Sequence, residues 1–470
     1  GMARARTLDG RRNEVICVIG DGALTGGMAY EALNDAGQSG EKLIIVFNDN
    51  EMSISKNVGA VANRLSHMRS KKRYLKLKMR VKAFLSGFSN GDAVISAVSH
   101  IKAKIRRAIL KESIFEILGC RYLGPVDGND ISAVCTLLEE AKAYNGPVVV
   151  HFKTVKGRGY HPSEISPWDY HGVSPFDAVK GKPSGGGVTF SDILGQTMCV
   201  QAEQDDRICA VTAAMENGTG LGEFSVKYPS RFFDVGIAEE HAVTMASGMA
   251  SQGLKPVFAV YSSFLQRGYD QLIHDVAIAR NHVVFAIDRA GLVGADGETH
   301  QGIFDVPYIL SIPGIKLFSP SSFAELKSAV RRALYQEDGP VAVRFPRGGE
   351  GVYRDDSIDM PEVCIRQGSD ITLAGYGIMI SNLIKAAEIL EASGISAEII
   401  KINELSHICS DCLEDSVKKT RRLIEKQICP RCRLINLGSR FIPHGGVEQL
   451  YERYGIDGQS IANKAKEIMI

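Results

Sequence analysis

Short apolar runs recur along this chain, each closed by a glycine-, serine- or asparagine-rich turn and followed by residues with helical spacing. Glu14 to Ile19 is the first such run and reads as a buried parallel strand; Leu43 to Phe47 reads as its neighbour. Arg207 to Val211, Val257 to Val260, Val283 to Ile287 and Val341 to Phe345 form a later set, and Ile371 to Ala374 opens another. Alternating strand-like and helix-like patterns predict α/β domains built on parallel sheets. Lys180-Gly181-Lys182-Pro183-Ser184-Gly185-Gly186-Gly187 has the composition of a flexible linker, and a weaker polar stretch runs from Gly348 to Pro361. The expected layout is three successive open, mostly parallel sheets with helices on both faces, over residues 1–180, 188–350 and 362–470, with 181–187 as linker.

What closes the first two strands carries chemistry. Gly20-Asp21-Gly22 follows the first, and Gly22, Gly26 and Gly27 let backbone approach a ligand where a helix begins. The second ends at Asn48-Asp49-Asn50. Adjacent strands would bring Asp21 and Asn50 together at the carboxyl edge of one sheet, where open α/β folds bind ligands. One carboxylate and one amide oxygen make a sparse hard-oxygen set, which suits Mg²⁺ completed by phosphate oxygens and water. An ordinary dinucleotide site would instead need an acidic residue at the end of the second strand to hold a ribose. An asparagine-rich end stands there.

At 470 residues, with 44% hydrophobic residues and a net charge of +1, the chain can fill large cores and shows no bias toward an acidic macromolecule. The basic run from Arg64 to Lys82 is interleaved with Leu65, Met68, Leu75 and Met79, as on a solvated helix, so no nucleic-acid partner is expected. No stretch reaches the ~18 apolar residues of a membrane span, and the N-terminus lacks the apolar core of a signal peptide. The ten cysteines, such as Cys17 and Cys209, fall mostly inside apolar runs, the expected picture for a reduced, cytoplasmic protein.

In the second domain Gly236-Ile237-Ala238-Glu239 follows Phe232-Phe233-Asp234-Val235, so Glu239 should open a helix just past a strand. Such a carboxylate can simply complement the helix dipole. Beside a diphosphate site it has a more specific use: thiamine diphosphate needs a carboxylic acid on N1′ of its aminopyrimidine, favouring the imino form that removes the thiazolium C2 proton.

These motifs, together with Glu51-Met52-Ser53-Ile54-Ser55, Tyr261-Ser262-Ser263-Phe264-Leu265-Gln266-Arg267, Ile287-Asp288-Arg289-Ala290-Gly291 and Asp296-Gly297-Glu298-Thr299-His300-Gln301-Gly302, resemble the 1-deoxy-D-xylulose-5-phosphate synthase family, which is transketolase-like. The likeness runs from residue 1 to about 425 and resumes at Leu434-Ile435-Asn436-Leu437-Gly438. It implies thiamine diphosphate and Mg²⁺ as cofactors, with Asp21, Asn50 and the Met52 carbonyl as metal ligands. Gly22 and Ala23 would contact the diphosphate, Tyr160 would lie near the cofactor, Phe264 would stack on the aminopyrimidine, and Glu239 would be the activating acid. His171 and His300 are the implied proton-moving histidines. Arg289 and Arg347 match phosphate-binding arginines, and Tyr261, Arg267 and Asp296 match other substrate contacts. The implied reaction condenses pyruvate, with loss of CO₂, onto D-glyceraldehyde 3-phosphate, giving 1-deoxy-D-xylulose 5-phosphate for isoprenoid, thiamine and pyridoxal synthesis; family members are homodimers. Transketolase, or the β-type subunit of a 2-oxoacid dehydrogenase, is the neighbouring reading; the dehydrogenase subunits, however, split the diphosphate and acid motifs between chains.

Two departures from the family stand out. Its further stretch before the position of Gly1, with a cofactor-contacting histidine and a Gly-His-Ser group, has no counterpart here, so a silent or partner-requiring fragment is the alternative expectation. Near Arg422 a jump creates Cys409-x-x-Cys412 and Cys429-x-x-Cys432, a spacing that zinc sites use. Leu413 to Gln427 has helical spacing, however, and about 16 residues of helix extend ~24 Å, which would hold the pairs apart. Incidental cysteines are the favoured reading.

Overall fold

The structure is a computed structural model describing residues 1–50, 113–173, 175–181, 187–406, 432–437 and 440–469. Met52, the basic run Arg64 to Lys82, the helical spacing from Leu413 to Gln427, and Cys409, Cys412 and Cys429 lie outside these residues.

Strands β1 (Ile16–Gly20), β2 (Leu43–Asp49), β3 (Arg121–Asp127) and β4 (Pro147–Lys153) form an all-parallel sheet in the order β1-β2-β4-β3. β4 sits between two partners, and its Val148, Val149 and Val150 are fully buried, as a strand covered on both faces requires. Alternation sends Phe47, Tyr122 and Val149 to one core with Leu24, Leu33 and Phe115, and Ile44, Leu123, Val148 and Val150 to another with Ala141. The helix Gly27–Ser39 ends where Gly40 turns left-handed at φ +63°, and Ile131–Lys142 starts at Asp130, whose carboxylate accepts from the Ser132 and Ala133 amides.

The first strand departs from expectation. β1 is the sheet's edge, not a buried strand: Ile16 is 53% and Val18 71% exposed, and Cys17 is exposed too. An apolar run reports strand propensity but not how many neighbours the strand has, and among the described residues nothing pairs with its outer side.

The second sheet holds β5 (Ile208–Thr212), β6 (Phe232–Asp234), β7 (Lys255–Tyr261), β8 (Val284–Asp288), β9 (Lys316–Phe318) and β10 (Val341–Arg344), all parallel, in the order β6-β5-β7-β8-β10-β9. Helices Phe190–Gln204 and Phe323–Tyr335 cover one face through Leu194, Met198, Leu326 and Val330. Helix Glu239–Ser251 covers the other through Ala242, Val243 and Ala246. The third sheet joins β11 (Glu362–Arg366), β12 (Ile371–Tyr376) and β13 (Ala397–Ile402), with β12 parallel and β11 antiparallel to the central β13, and is packed by helices Ile380–Glu391 and Gly458–Met469. The chain divides into two compact units, Gly1–Lys182 with Gly236–Ala238, and Pro183–Val235 with Glu239–Ile470. No helix among the described residues is long and apolar enough to cross a membrane.

Within the second unit a fully buried ion pair ties the third sheet to helix Phe323–Tyr335. Lys401 Nζ lies 2.8 Å from Glu325 Oε1, both side chains at 0% exposure. Glu325 also accepts from the Ser357 hydroxyl at 2.9 Å and the Tyr353 hydroxyl at 3.3 Å. Burial pulls the Lys401 pKa down, while Glu325 works against that fall. Glu325→Ala would strand the ammonium in the core, and loss of one partner of such a pair costs about 3–5 kcal/mol. Thermal unfolding should therefore show a large drop in midpoint; a midpoint unchanged from wild type would mean the pair contributes nothing.

Candidate active site

β1 and β2 run in register to their ends, with Gly20 opposite Asn48, and the Asp21 amide donates to the Asn48 carbonyl at 3.1 Å. Asp21 and the Asn48-Asp49-Asn50 motif thus emerge side by side at the carboxyl edge of the first sheet, as the sequence predicted. Asp21 is 8% exposed, and its Oδ1 accepts from the Gly22 amide at 3.1 Å. A single 3₁₀ turn, Ala23–Thr25, leads into helix Gly27–Ser39, whose N-cap Gly26 provides no side-chain cap. A helix start without a side-chain cap suits a phosphate. A Cβ added at Gly20 or Gly27 would meet nothing within 4 Å, so the backbone here stands open to a ligand.

Asp21 and Asn50, two hard oxygens beside an uncapped helix start, fit a Mg²⁺ ion that draws its remaining ligands from a diphosphate and water. Among the described residues no cluster of three or more His, Cys, Asp or Glu could cage a metal, and Cys432 is exposed.

β4 fastens this motif in a way the sequence reading missed. The Thr154 amide donates to the Asp49 carbonyl at 3.0 Å, and the Thr154 hydroxyl donates to Asn48 Oδ1 at 2.9 Å. His151 Nε2 lies 2.8 Å from Asp49 Oδ2, and its Nδ1 lies 2.6 Å from the Tyr122 hydroxyl. The available signal was a lone histidine inside the apolar run Val148 to Phe152; its partner 102 residues earlier gives no pattern of its own.

Farther along the same unit, Lys156 Nζ donates to His171 Nδ1 at 2.7 Å. Burial lowers the Lys156 pKa, and Asp21 opposes that fall, which places the ammonium within the field of that carboxylate. The His171 pKa is lowered first by loss of water and second by Lys156, which favours the neutral ring with Nδ1 accepting from the ammonium and the ring hydrogen on Nε2. Tyr160 donates its hydroxyl to the Ala178 carbonyl at 3.0 Å and packs edge-on against Tyr170, ring centres 5.5 Å apart. Sequence reasoning singled out His171 and Tyr160 but not Lys156.

The second unit holds the acid. Glu239 opens helix Glu239–Ser251, is 3% exposed, and receives Arg267 Nη1 on its Oε2; Arg267 Nη2 also reaches Glu240 at 3.3 Å. Arg267, expected among the substrate contacts, is thereby placed on the acid. Burial raises the Glu239 pKa, with Arg267 a weaker opposing influence. Burial and the Arg267 pairing thus pull the carboxyl in opposite directions, as expected for an acid held out of water beside one cation.

The other expected residues of this unit converge. Tyr261 ends β7, and Phe264 lies on the short helix Ser262–Leu265 that follows. The Phe264 ring is 5.3 Å from both the Tyr261 and the His300 rings. Arg289, just past β8, places its guanidinium 3.8 Å over the Tyr261 ring and bonds Asp288 at 2.9 Å and the Gly218 carbonyl at 2.6 Å. Its Nε is buried without a hydrogen bond among the described residues, and its φ of +59° is strained for a residue with a Cβ. Arg347 pairs with Asp296 at 2.7 Å. The Tyr261 hydroxyl is pushed up to about 12, by burial first, with Arg289 opposing and Asp288 and Asp296 adding to the rise. Tyr261, Phe264, Arg289, Asp296, His300 and Arg347 are therefore one cluster of rings, cations and a carboxylate at the carboxyl ends of β7, β8 and β10.

Known proteins resemble the chain along its length. Residues 1–154 match the family model described as 1-deoxy-D-xylulose-5-phosphate synthase, 186–349 the transketolase pyrimidine binding domain and 363–427 the transketolase C-terminal domain. A 1-deoxy-D-xylulose-5-phosphate synthase of Desulforudis audaxviator is 43% identical over 99% of this chain and 78% of its own length. One from Clostridium kluyveri is 42% identical over 100% and 79%. Among solved structures, a transketolase from Leishmania mexicana superposes with a TM-score of 0.53 at 15% identity, covering 97% of this chain and 76% of that one, a likeness of fold alone.

Proposed function

Because the chain belongs to the 1-deoxy-D-xylulose-5-phosphate synthase family, transketolase-like transferases that depend on thiamine diphosphate, we propose how its own residues divide that work. Module 1–180 holds the cofactor's diphosphate through Mg²⁺, module 188–350 holds its pyrimidine and the sugar phosphate, and 362–470 is a transketolase C-terminal-like module. Asp21, Asn50 and the Met52 carbonyl are the metal ligands, with Gly22, Ala23 and Tyr160 lining the cofactor. Phe264 stacks on the aminopyrimidine.

When bound, thiamine diphosphate supplies the carbanion that attacks the keto carbon of pyruvate and the sink that takes the electron pair as CO₂ leaves. The protein's part is protons, charge and position. Glu239 shares its proton with N1′, and the burial of that carboxyl at the start of its helix is the observation that carries the reading. His171, kept neutral beside Lys156, and His300 move protons at the reacting carbon and the oxygen of the aldehyde. Arg289 and Arg347 clamp the phosphate of D-glyceraldehyde 3-phosphate, exchanging their carboxylate partners Asp288 and Asp296 for a dianion that accepts a planar fork. Arg267 and Tyr261 hold the acid and the arginine in place. Release gives 1-deoxy-D-xylulose 5-phosphate. We further propose that the protein works in the cytoplasm and as a homodimer, following its family.

CO₂ release that depends on both pyruvate and D-glyceraldehyde 3-phosphate, with the ketose phosphate identified by mass spectrometry, tests this reading. A different acceptor giving the faster reaction would move the chain to another transketolase-type activity. For the clamp, Arg347→Ala should raise KM for the phosphorylated aldehyde about tenfold to a hundredfold, the loss of a charge-assisted contact of ~1.5–3 kcal/mol, and leave KM for pyruvate nearly unchanged. Equal effects on the two substrates would contradict a phosphate role.

A further inference from the structure

We propose that His151, backed by Tyr122, is a positioning residue that aims the Asn48-Asp49-Asn50 strand end at the metal. The inference rests on reading Asp21 and Asn50 as the magnesium pair. Nothing in the family resemblance assigned His151, Tyr122 or Thr154.

His151 is 2% exposed, Asp49 1% and Tyr122 6%, in a sheet whose other inward positions are apolar. Burying three polar side chains where Phe47 and Val149 pack is unfavourable unless their hydrogen bonds are made. They are made in one direction. The tautomer that satisfies the chain has the Tyr122 hydroxyl donating to Nδ1 at 2.6 Å and Nε2–H donating to Asp49 Oδ2 at 2.8 Å. The phenol polarises the ring, and the ring steadies the carboxylate. The Phe47 ring, 4.6 Å from the imidazole, fixes its plane.

The target of these bonds gives the arrangement its meaning. Both residues immediately before Asn50 are pinned to β4: Asp49 by His151 and the Thr154 amide, Asn48 by the Thr154 hydroxyl. With β2 held on that side and the Asp21 amide bound to the Asn48 carbonyl on the other, the backbone carrying Asn50 has little freedom. Groups that orient a metal's ligands from behind are typically worth about 10–100-fold in affinity.

The test is calorimetric titration of thiamine diphosphate in the presence of Mg²⁺ on the full chain, with unfolding midpoints of the cofactor-free proteins taken alongside. His151→Leu should weaken binding by about tenfold or more. His151→Gln places an amide where Nε2 stood and keeps the bond to Asp49, so it should stay within about threefold of wild type, whatever its midpoint. Tyr122→Phe removes one oxygen and should lose about threefold, which keeps the proposal open to test if His151→Leu does not fold. A purely structural histidine predicts that the Gln and Leu variants lose affinity alike, in step with their midpoints; that result, or wild-type affinity in both the Leu and the Phe variants, would overturn the proposal while leaving the cofactor site standing. A wild-type chain that takes up no cofactor would remove the magnesium reading, and this proposal with it.

Discussion

Glu239→Ala should reduce kcat by about 10²–10⁴-fold, the range a positioned acid supplies, while the protein stays folded. The carboxyl sits almost fully buried at the start of its helix, where burial raises its pKa, a setting suited to a hydrogen bond shared with a ring nitrogen. Glu239→Gln keeps the shape and one hydrogen bond but cannot pass a proton on, and should be nearly as slow. Survival of the fold follows from the partner. Arg267 is 34% exposed and also reaches Glu240, so removing Glu239 leaves no stranded cation in the core. Steady-state kinetics with an unfolding scan check both parts. Wild-type turnover in either variant would remove Glu239 from the chemistry.

Asp21→Ala should weaken Mg²⁺-dependent thiamine diphosphate binding by more than about a hundredfold, beyond the ~10–100-fold typical of a group that only orients a ligand. Asp21 is the one carboxylate in the assigned metal set, and its loss leaves an ion beside a diphosphate with too little protein to hold it. Chelating the metal from wild type should reproduce the defect. Adding chelator to Asp21→Ala should then change little, because both perturbations break the same link. Two independent, additive losses would show that Asp21 acts by some other route.

How much of this was legible in the sequence depended on range. Several parallel strands could be read because a strand covered on both faces is mostly apolar, and the runs that became β5, β7 and β8 are buried. The carboxyl-edge placement of Asp21 and Asn50, and the start of the helix at Glu239, followed from motifs that close or succeed such runs. β1 was misjudged because its composition is that of a central strand while its position is at the edge. The pairings of Asp49 with His151 and of Lys401 with Glu325 join residues far apart in sequence through polar side chains, with no periodicity to announce them. Arg267, which the resemblance matches to a substrate contact, also meets Glu239 and Glu240, 28 and 27 positions earlier, pairings that no local pattern announces.

The account turns on whether this protein's carboxyl activates the cofactor that its strand ends anchor. Deuterium exchange at the thiazolium C2 carbon, followed by acid quench and proton NMR, reads that step without either substrate. Thiamine diphosphate bound with Mg²⁺ should lose its C2 proton about a hundredfold or more faster than the free cofactor, and Glu239→Ala should return the rate to the free value. Cofactor that binds yet exchanges at the rate seen in water would contradict the account.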